Sequence, residues 1–284
     1  MKIEKLTVYP VKSLRGITLS SAKLAKRGLE HDRRWMLTDS NYKFISQRTH
    51  PVLALIEVAI QNSKLRFSYH QAKPSVLEIP AFPLQKEPLI ETWVFEKKCK
   101  ALAVSKAADQ WFSKILGGDY RLVYMPEESE RPINPKHGSP GDIVSFADGY
   151  PILLTGKASL ADLNEKLDQP VNMDRFRPNI VISGEKPFGE DHWEYVQINA
   201  LSFRGLKPCA RCIMTTVDQD KGVKSGAEPL KTLATYRKKD SKVLFGLNLL
   251  WEHQKWNGDE GEAVIRVGDS VEVVSRRGKN LEAL

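Results

Sequence analysis

The chain has 284 residues, 43 Lys and Arg against 35 Asp and Glu, a net charge of +8 and a pI near 9.2. Hydrophobic residues make up 41% and charged residues 27%, the balance of a folded globular protein, which excludes a disordered chain. The bases are spread over the whole chain without interleaved aromatics, so the charge points to solvated surface, small anions or acidic proteins, and away from a nucleic-acid duplex.

The first stretch, "KIEKLTVYP", alternates as a strand at once and has neither the apolar core of a signal peptide nor an Arg-rich leader. "RRWMLTD", "YKFISQ", "VLALIEVAI" and "KLRFSYH" follow as strands rich in β-branched and aromatic residues, with turns at Asp39-Ser40-Asn41 and Gln61-Asn62-Ser63. The longest apolar run, Val52–Ile60, is broken by Glu57 and falls short of the ~20 residues of a membrane helix. A helix is predicted over Lys106–Leu116, where Ala108, Trp111, Phe112 and Ile115 recur at helical spacing before Gly117-Gly118. "PEESERPINPKHGSPG", from Pro126 to Gly141, is a long loop of the kind that serves as a lid or linker. A second helix is predicted over Lys157–Leu167 and a third over Pro229–Arg237. "FRPNIVIS", "YVQINALSFRG", "CIMTTVD", "KVLFGLNLLWE" and "DSVEVVS" read as strands. Many strands with few, scattered helices predict a mainly β, α+β molecule with barrel-like units.

Three cysteines, Cys99, Cys209 and Cys212, are too few for a disulfide framework and predict a reducing, cytoplasmic compartment. Cys209 and Cys212 form a Cys-x-x-Cys pair with four readings. A thioredoxin-like couple needs a helix after the first cysteine, and Ile213-Met214-Thr215-Thr216-Val217 is strand-forming. Structural zinc needs four ligands, and no second pair exists in the sequence. Two inert buried thiols are the third reading. The fourth is one functional thiolate: residues three apart on a strand point to opposite faces, and Arg211, Arg204 and Lys207 lie near. "DQDKG" after the pair lacks the glycine and glutamate positions of a calcium loop and is a turn.

"YPVKSLRG" (9–16), "HDRRWML" (31–37), "LLTGKASLADLN" (153–164), "FRPNIVISG" (176–184) and "CARCIMTTVD" (209–218) occur in this order. Together they resemble the MOSC-domain proteins that carry an associated N-terminal β-barrel domain, and within them the amidoxime-reducing component of mitochondria and its bacterial relatives. The resemblance implies an N-terminal domain over 1–120 and a MOSC domain over 121–284. It also implies a single-pterin molybdenum cofactor between them, with Cys212 as metal ligand and Cys209 as neighbour. Lys12, Ser13, Arg33, Arg177, Asn179 and Arg211, with Arg48 and Asp148, are the implied cofactor contacts. Their types suit an anionic phosphate-bearing group. On a strand, Arg175, Arg177 and Asn179 would share one face, with Pro178 holding Arg177 extended.

The implied activity is reduction of N-hydroxylated compounds: hydroxylamines, amidoximes and N-hydroxylated nucleobases. Neither the membrane anchor of the mitochondrial members nor the iron–sulfur domain fused to several bacterial relatives is matched in this sequence. The expectation is therefore no iron–sulfur cluster and electrons from a separate donor: flavodoxin-like, ferredoxin-like, or a cytochrome with its reductase. Ala210 stands where the family often has Ser. Two rival readings share the cofactor: sulfur transfer through a Cys212 persulfide, and a non-catalytic cofactor carrier.

Overall fold

The computed structural model describes residues 1–71, 74–83, 88–259 and 262–278, so the end of the expected second domain, after 278, lies outside the described residues. The mainly β expectation holds. Among the described residues the largest sheet has nine strands and runs as an open path. Its order is Ile17–Leu19, Lys2–Val8, Ile180–Ser183, Ile152–Gly156, Lys242–Trp251, Leu201–Arg211, Trp193–Ile198 and Val271–Arg276, with Lys238–Lys239 paired onto Lys242–Trp251. Ile152–Gly156 and Ile180–Ser183 are parallel, joined through the helix Lys157–Asn164, because a parallel pair needs a crossover. The other pairings in the sheet are antiparallel.

Two further sheets belong to the first half: Trp35–Asp39, Tyr120–Tyr124, Lys97–Ala103 and Ile90–Val94; and Glu57–Gln61, Lys64–Tyr69 and Ser75–Pro80. The helix Lys106–Leu116 has the predicted bounds. Ser105 accepts a hydrogen bond from Ala108 N, Gly117 closes the helix in the left-handed conformation, and Ala108 and Phe112 are buried. The third helix is Leu230–Tyr236. The turns at 39–41 and 61–63 form as predicted; Asn62 and Ser63 both take positive φ, as a two-residue hairpin loop demands.

Five expected strands are not continuous strands: "FRPNIVIS" is a strand only from Ile180, "YVQINALSFRG" is two strands broken at Asn199-Ala200, and three more depart as follows. "YKFISQ" makes only isolated bridges, Thr38 to Phe44 and Lys43 to Trp93. "VLALIEVAI" begins as a 3-10 turn, Pro51–Leu55, before the strand Glu57–Gln61: Pro51 has no N–H for a ladder and pre-sets a helical φ. "CIMTTVD" becomes the 3-10 turn Ile213–Thr216 and a two-residue strand.

One core gathers Ile3, Leu6 and Val8 with apolar residues of 152–203 and 247–251. A second gathers Val11 and Leu14 with residues of 35–124. The first strand and the segment after it thus serve both cores. The 126–141 loop is not free to swing: Arg131, buried within it, donates to Ser145 O (2.8 Å), Ala147 O (2.6 Å) and Asp148 O (3.0 Å).

Candidate functional site

A cleft of 690 Å³ is lined by Lys12, Ser13, Arg33 and Arg48 from the first half of the chain and by Asp148, Arg177, Asn179 and Arg211 from the second. The structure therefore brings together eight of the nine residues selected from the sequence. The ninth, Cys212, presents Sγ to Arg48 Nε at 3.4 Å.

Lys12 and Ser13 follow the first strand, where Lys12 N donates to Trp35 O (2.8 Å). Ser13 has φ +71°, and its carbonyl accepts from Gln47 Nε2 (2.8 Å). The buried Lys12 ammonium donates to Phe146 O (2.8 Å) and to Asp148. Arg33 was expected on a strand. It sits instead at φ +50° in the turn before Trp35–Asp39, held by Arg33 N to Tyr9 O (2.8 Å) and by Asp32 Oδ2, 2.5 Å from its guanidinium. The Tyr9 ring lies between Arg33 and Arg177, whose guanidinium carbons are 4.4 and 4.1 Å from its centroid.

The extended conformation expected of Arg177 is overturned. Met173–Phe176 is a 3-10 turn and Arg177 caps it with φ +52°, ψ +48°; the strand begins only at Ile180. Pro178 biases Arg177 toward extended backbone, but Arg177 N to Asp174 O (3.0 Å) and the guanidinium contact to Leu14 hold the left-handed conformation. The shared face consequently fails for Arg175, which turns to Asp218 (3.4 Å) and Ser225 (2.8 Å). Arg177 donates to Leu14 O (2.7 Å). Asn179 donates to Thr7 O (3.1 Å) and Asp32 Oδ1 (3.0 Å), and accepts from Arg33 (3.0 Å) and Leu153 N (3.1 Å).

The opposite-face argument for the cysteines also fails in its premise, because the strand carries Cys209 but ends at Arg211, and Cys212 opens a 3-10 turn. Cys209 and Arg211 line the cleft, and Arg211 donates to Cys209 Sγ (3.0 Å), not to Cys212. Each sulfur meets its own arginine, and both arginines line one cleft. Of the other bases expected to act on the thiolate, Arg204 pairs with Asp142 and Glu252 (3.0 and 3.2 Å). Lys207 stands over the Tyr150 ring at 5.4 Å. "DQDKG" is a turn as read: Asp218 Oδ1 accepts from the N–H groups of Asp220 and Lys221 (3.0 and 2.9 Å).

Five cations thus line the cleft, with Asp148 the carboxylate among its lining residues. Burial disfavours the Lys12 ammonium and lowers its pKa, with Asp148 opposing. Burial likewise brings Arg177 down to about 10, still charged at neutral pH. Desolvation works against ionised Asp148, but Lys12, Arg48 and Arg33 outweigh it and hold its carboxyl well below the usual range. Arg48 also loses hydration, yet Asp148 and Cys212 stabilise its charge and raise its pKa. Buried Arg211 Nε has no hydrogen-bond partner, an orphan donor that an anion would satisfy.

Among the described residues no three of His, Cys, Asp and Glu gather as a metal-ligand set, so a metal at Cys212 would need ligands from outside the protein. A pyranopterin brings its own sulfurs and a phosphate, and a cleft lined by five cations, one of which (Arg48) meets Cys212, fits it. Tyr9 and Asp32 are working parts that residue-by-residue reading missed. Their signal was adjacency, since both lie within the motifs that carry Lys12 and Arg33. Tyr150, Phe176, Asn248 and Cys209 also line the cleft. Nothing local in the sequence marks Asn248, which arrives through the pairing of Lys242–Trp251 with Leu201–Arg211.

Residues 1–119 match the MOSC N-terminal beta barrel domain and residues 141–272 the MOSC domain. Mitochondrial amidoxime-reducing component 1 of Homo sapiens is 34% identical over 95% of this chain and 82% of its own. The Xenopus laevis protein of the same name is 30% identical over 97% and 83%. Molybdenum cofactor sulfurase of Arabidopsis thaliana is 30% identical over 90% of this chain but 34% of its own length. Among the described residues no helix is long and apolar enough to cross a membrane. With these motifs, this two-domain match and relatives aligned over nearly all of this chain, the chain belongs to the MOSC-domain proteins with an N-terminal β-barrel domain, the family that includes the amidoxime-reducing components.

Proposed function

We propose that the protein is a molybdenum-cofactor-dependent reductase of N-hydroxylated compounds, supplied with electrons by a separate redox protein. The observation that carries this reading is the convergence of Lys12, Arg33, Arg48, Arg177 and Arg211 on one cleft with Cys212 at its edge. When bound, the cofactor would supply two-electron redox chemistry at molybdenum. Lys12, Arg33, Arg177 and Arg211 would hold its anionic part by charge-assisted hydrogen bonds, and Cys212 would supply the protein sulfur. Arg48 bridges Cys212 and Asp148 (3.4 and 3.1 Å), which orients the sulfur and places a positive charge beside it. Overall, a hydroxylamine takes two electrons and two protons and yields the amine and water.

The test is molybdenum and pterin analysis of protein purified from a cofactor-competent host, followed by benzamidoxime reduction with reduced methyl viologen. Near-stoichiometric metal and turnover are expected. Cys212→Ser should lose most of its molybdenum, whereas Cys209→Ser should keep it. A metal-free wild-type protein would sink the reading. The sulfurase relatives favour a second one, sulfur handling through a Cys212 persulfide; cyanide-releasable sulfur on Cys212, without benzamidoxime turnover, would select it. Bound cofactor with neither property would indicate a carrier.

A further inference from the structure

Behind the strand that carries Cys209 lies a groove of 1520 Å³. Near the end of Leu201–Arg211, Cys209 and Arg211 line the cleft while Pro208 and Ala210 line the groove. Lys136, Lys207, Lys238 and Lys242 line it too, and among the described residues none has an acidic partner. Its carboxylates are Asp191, engaged by Arg237, and Asp240. After burial, the combined field of Lys207, Arg277, Lys136 and Lys242 pushes the His137 imidazole below its ordinary pKa, so these charges act on one region.

Tyr150 is in contact with both groove and cleft. Tyr150 lines the cleft, its ring centroid is 6.0 Å from that of His137, and Lys207 Nζ is 5.4 Å from it on the groove side.

We infer that this groove is the landing surface for an acidic electron-carrier protein, which delivers electrons past Tyr150 to the cleft. The inference rests on the reductase reading above. Lysines suit this role better than phosphate capture. They are point charges on flexible stems, spread along the groove and mostly exposed, and the arginine of the groove is already committed to Asp191. Such a field steers an acidic protein and raises its association rate. The carrier is oxidised by two electrons in all, and the N-hydroxylated substrate accepts them with two protons to release water.

The experiment compares the triple variant Lys136→Glu/Lys238→Glu/Lys242→Glu with a control of equal charge change, Lys43→Glu/Lys106→Glu/Lys114→Glu, whose lysines are exposed and outside the groove. Benzamidoxime reduction by the holoenzyme is measured with reduced flavodoxin and, separately, with reduced methyl viologen. With flavodoxin, kcat/KM of the groove variant should fall about tenfold or more and lose its salt dependence, while the control variant changes little. With methyl viologen all three proteins should match. Equal losses in both variants, or none in the groove variant, overturn the inference. If wild-type protein fails with methyl viologen, the reductase reading fails by itself. Titration of oxidised flavodoxin at low salt then decides docking: binding lost only in the groove variant upholds the surface, and binding retained there overturns it.

Discussion

At Lys12 and Asp148 a buried ammonium meets a carboxylate whose side chain is 52% exposed. Removing the carboxylate's charge leaves Lys12 inside the protein with Phe146 O and no counterion, which is the costly arrangement for a buried charge. Because the folded carboxyl titrates below its unfolded value, its stabilisation is complete above the unfolded pKa of about 4 and disappears as pH falls through the folded one. Asp148→Asn should therefore lower Tm by a constant amount from neutral pH down to about pH 5, and the gap to wild type should begin to narrow near about pH 4 and close only as pH falls through the lower folded value. A gap independent of pH in thermal melts would rule out this linkage. Asn179 illustrates a different residue-scale role. Its two donors and its carbonyl oxygen are all engaged within the protein, so it acts by fixing Arg33 and Asp32 beside Tyr9.

At the scale of elements, the pairing of Leu201–Arg211 with Lys242–Trp251 decides where the sulfurs go. Its register shifts between Pro208, opposite Leu247, and Ala210, opposite Leu244. This bulge faces Cys209 and contains Gly246 at φ +80°. A Cβ there would stand 2.8 Å from Leu154 O and 2.7 Å from Thr155 Cγ2, so both the backbone and the space demand glycine. Gly246→Ala should destabilise the protein by about 2 kcal/mol or more, measured by denaturant unfolding at unchanged m-value. Wild-type stability in that variant would refute the assignment. The helix 106–116 is the contrasting case. Its apolar stripe, cap residues and closing glycines are all local, and its predicted bounds match the observed ones.

For the whole molecule, the boundary near residue 120 does not separate the strands. Lys2–Val8 pairs with Ile180–Ser183, Ser21–Ala25 pairs with Val264–Arg266, and Ile17 packs against both main cores. The Gln47–Gln219 amide pair (2.9 and 3.2 Å) and Arg15 on Gln219 O (2.7 Å) add links between the two halves of the chain. We therefore propose that the two family domains fold as one cooperative unit. Calorimetry should give a single transition with equal calorimetric and van't Hoff enthalpies, and two resolved transitions would count against it.

The one-dimensional order of residues determined the mainly β character, the helix at 106–116, the turns at 39–41 and 61–63, and the set of cationic residues in the cleft. Each is written in local chemistry: period-two apolar runs, caps, turn formers, or recognisable motifs. Local pattern misjudged 175–179, where polar and apolar residues alternate with period two, and 212–216, where β-branched residues favour a strand; the folded chain has 3-10 turns and a left-handed Arg177 there. Only the tertiary structure decided which arginine meets which sulfur, that Tyr9 lies between two guanidinium groups, and that a basic groove backs onto the cleft. These depend on strand register and on segments more than a hundred residues apart, and no local preference encodes such distances.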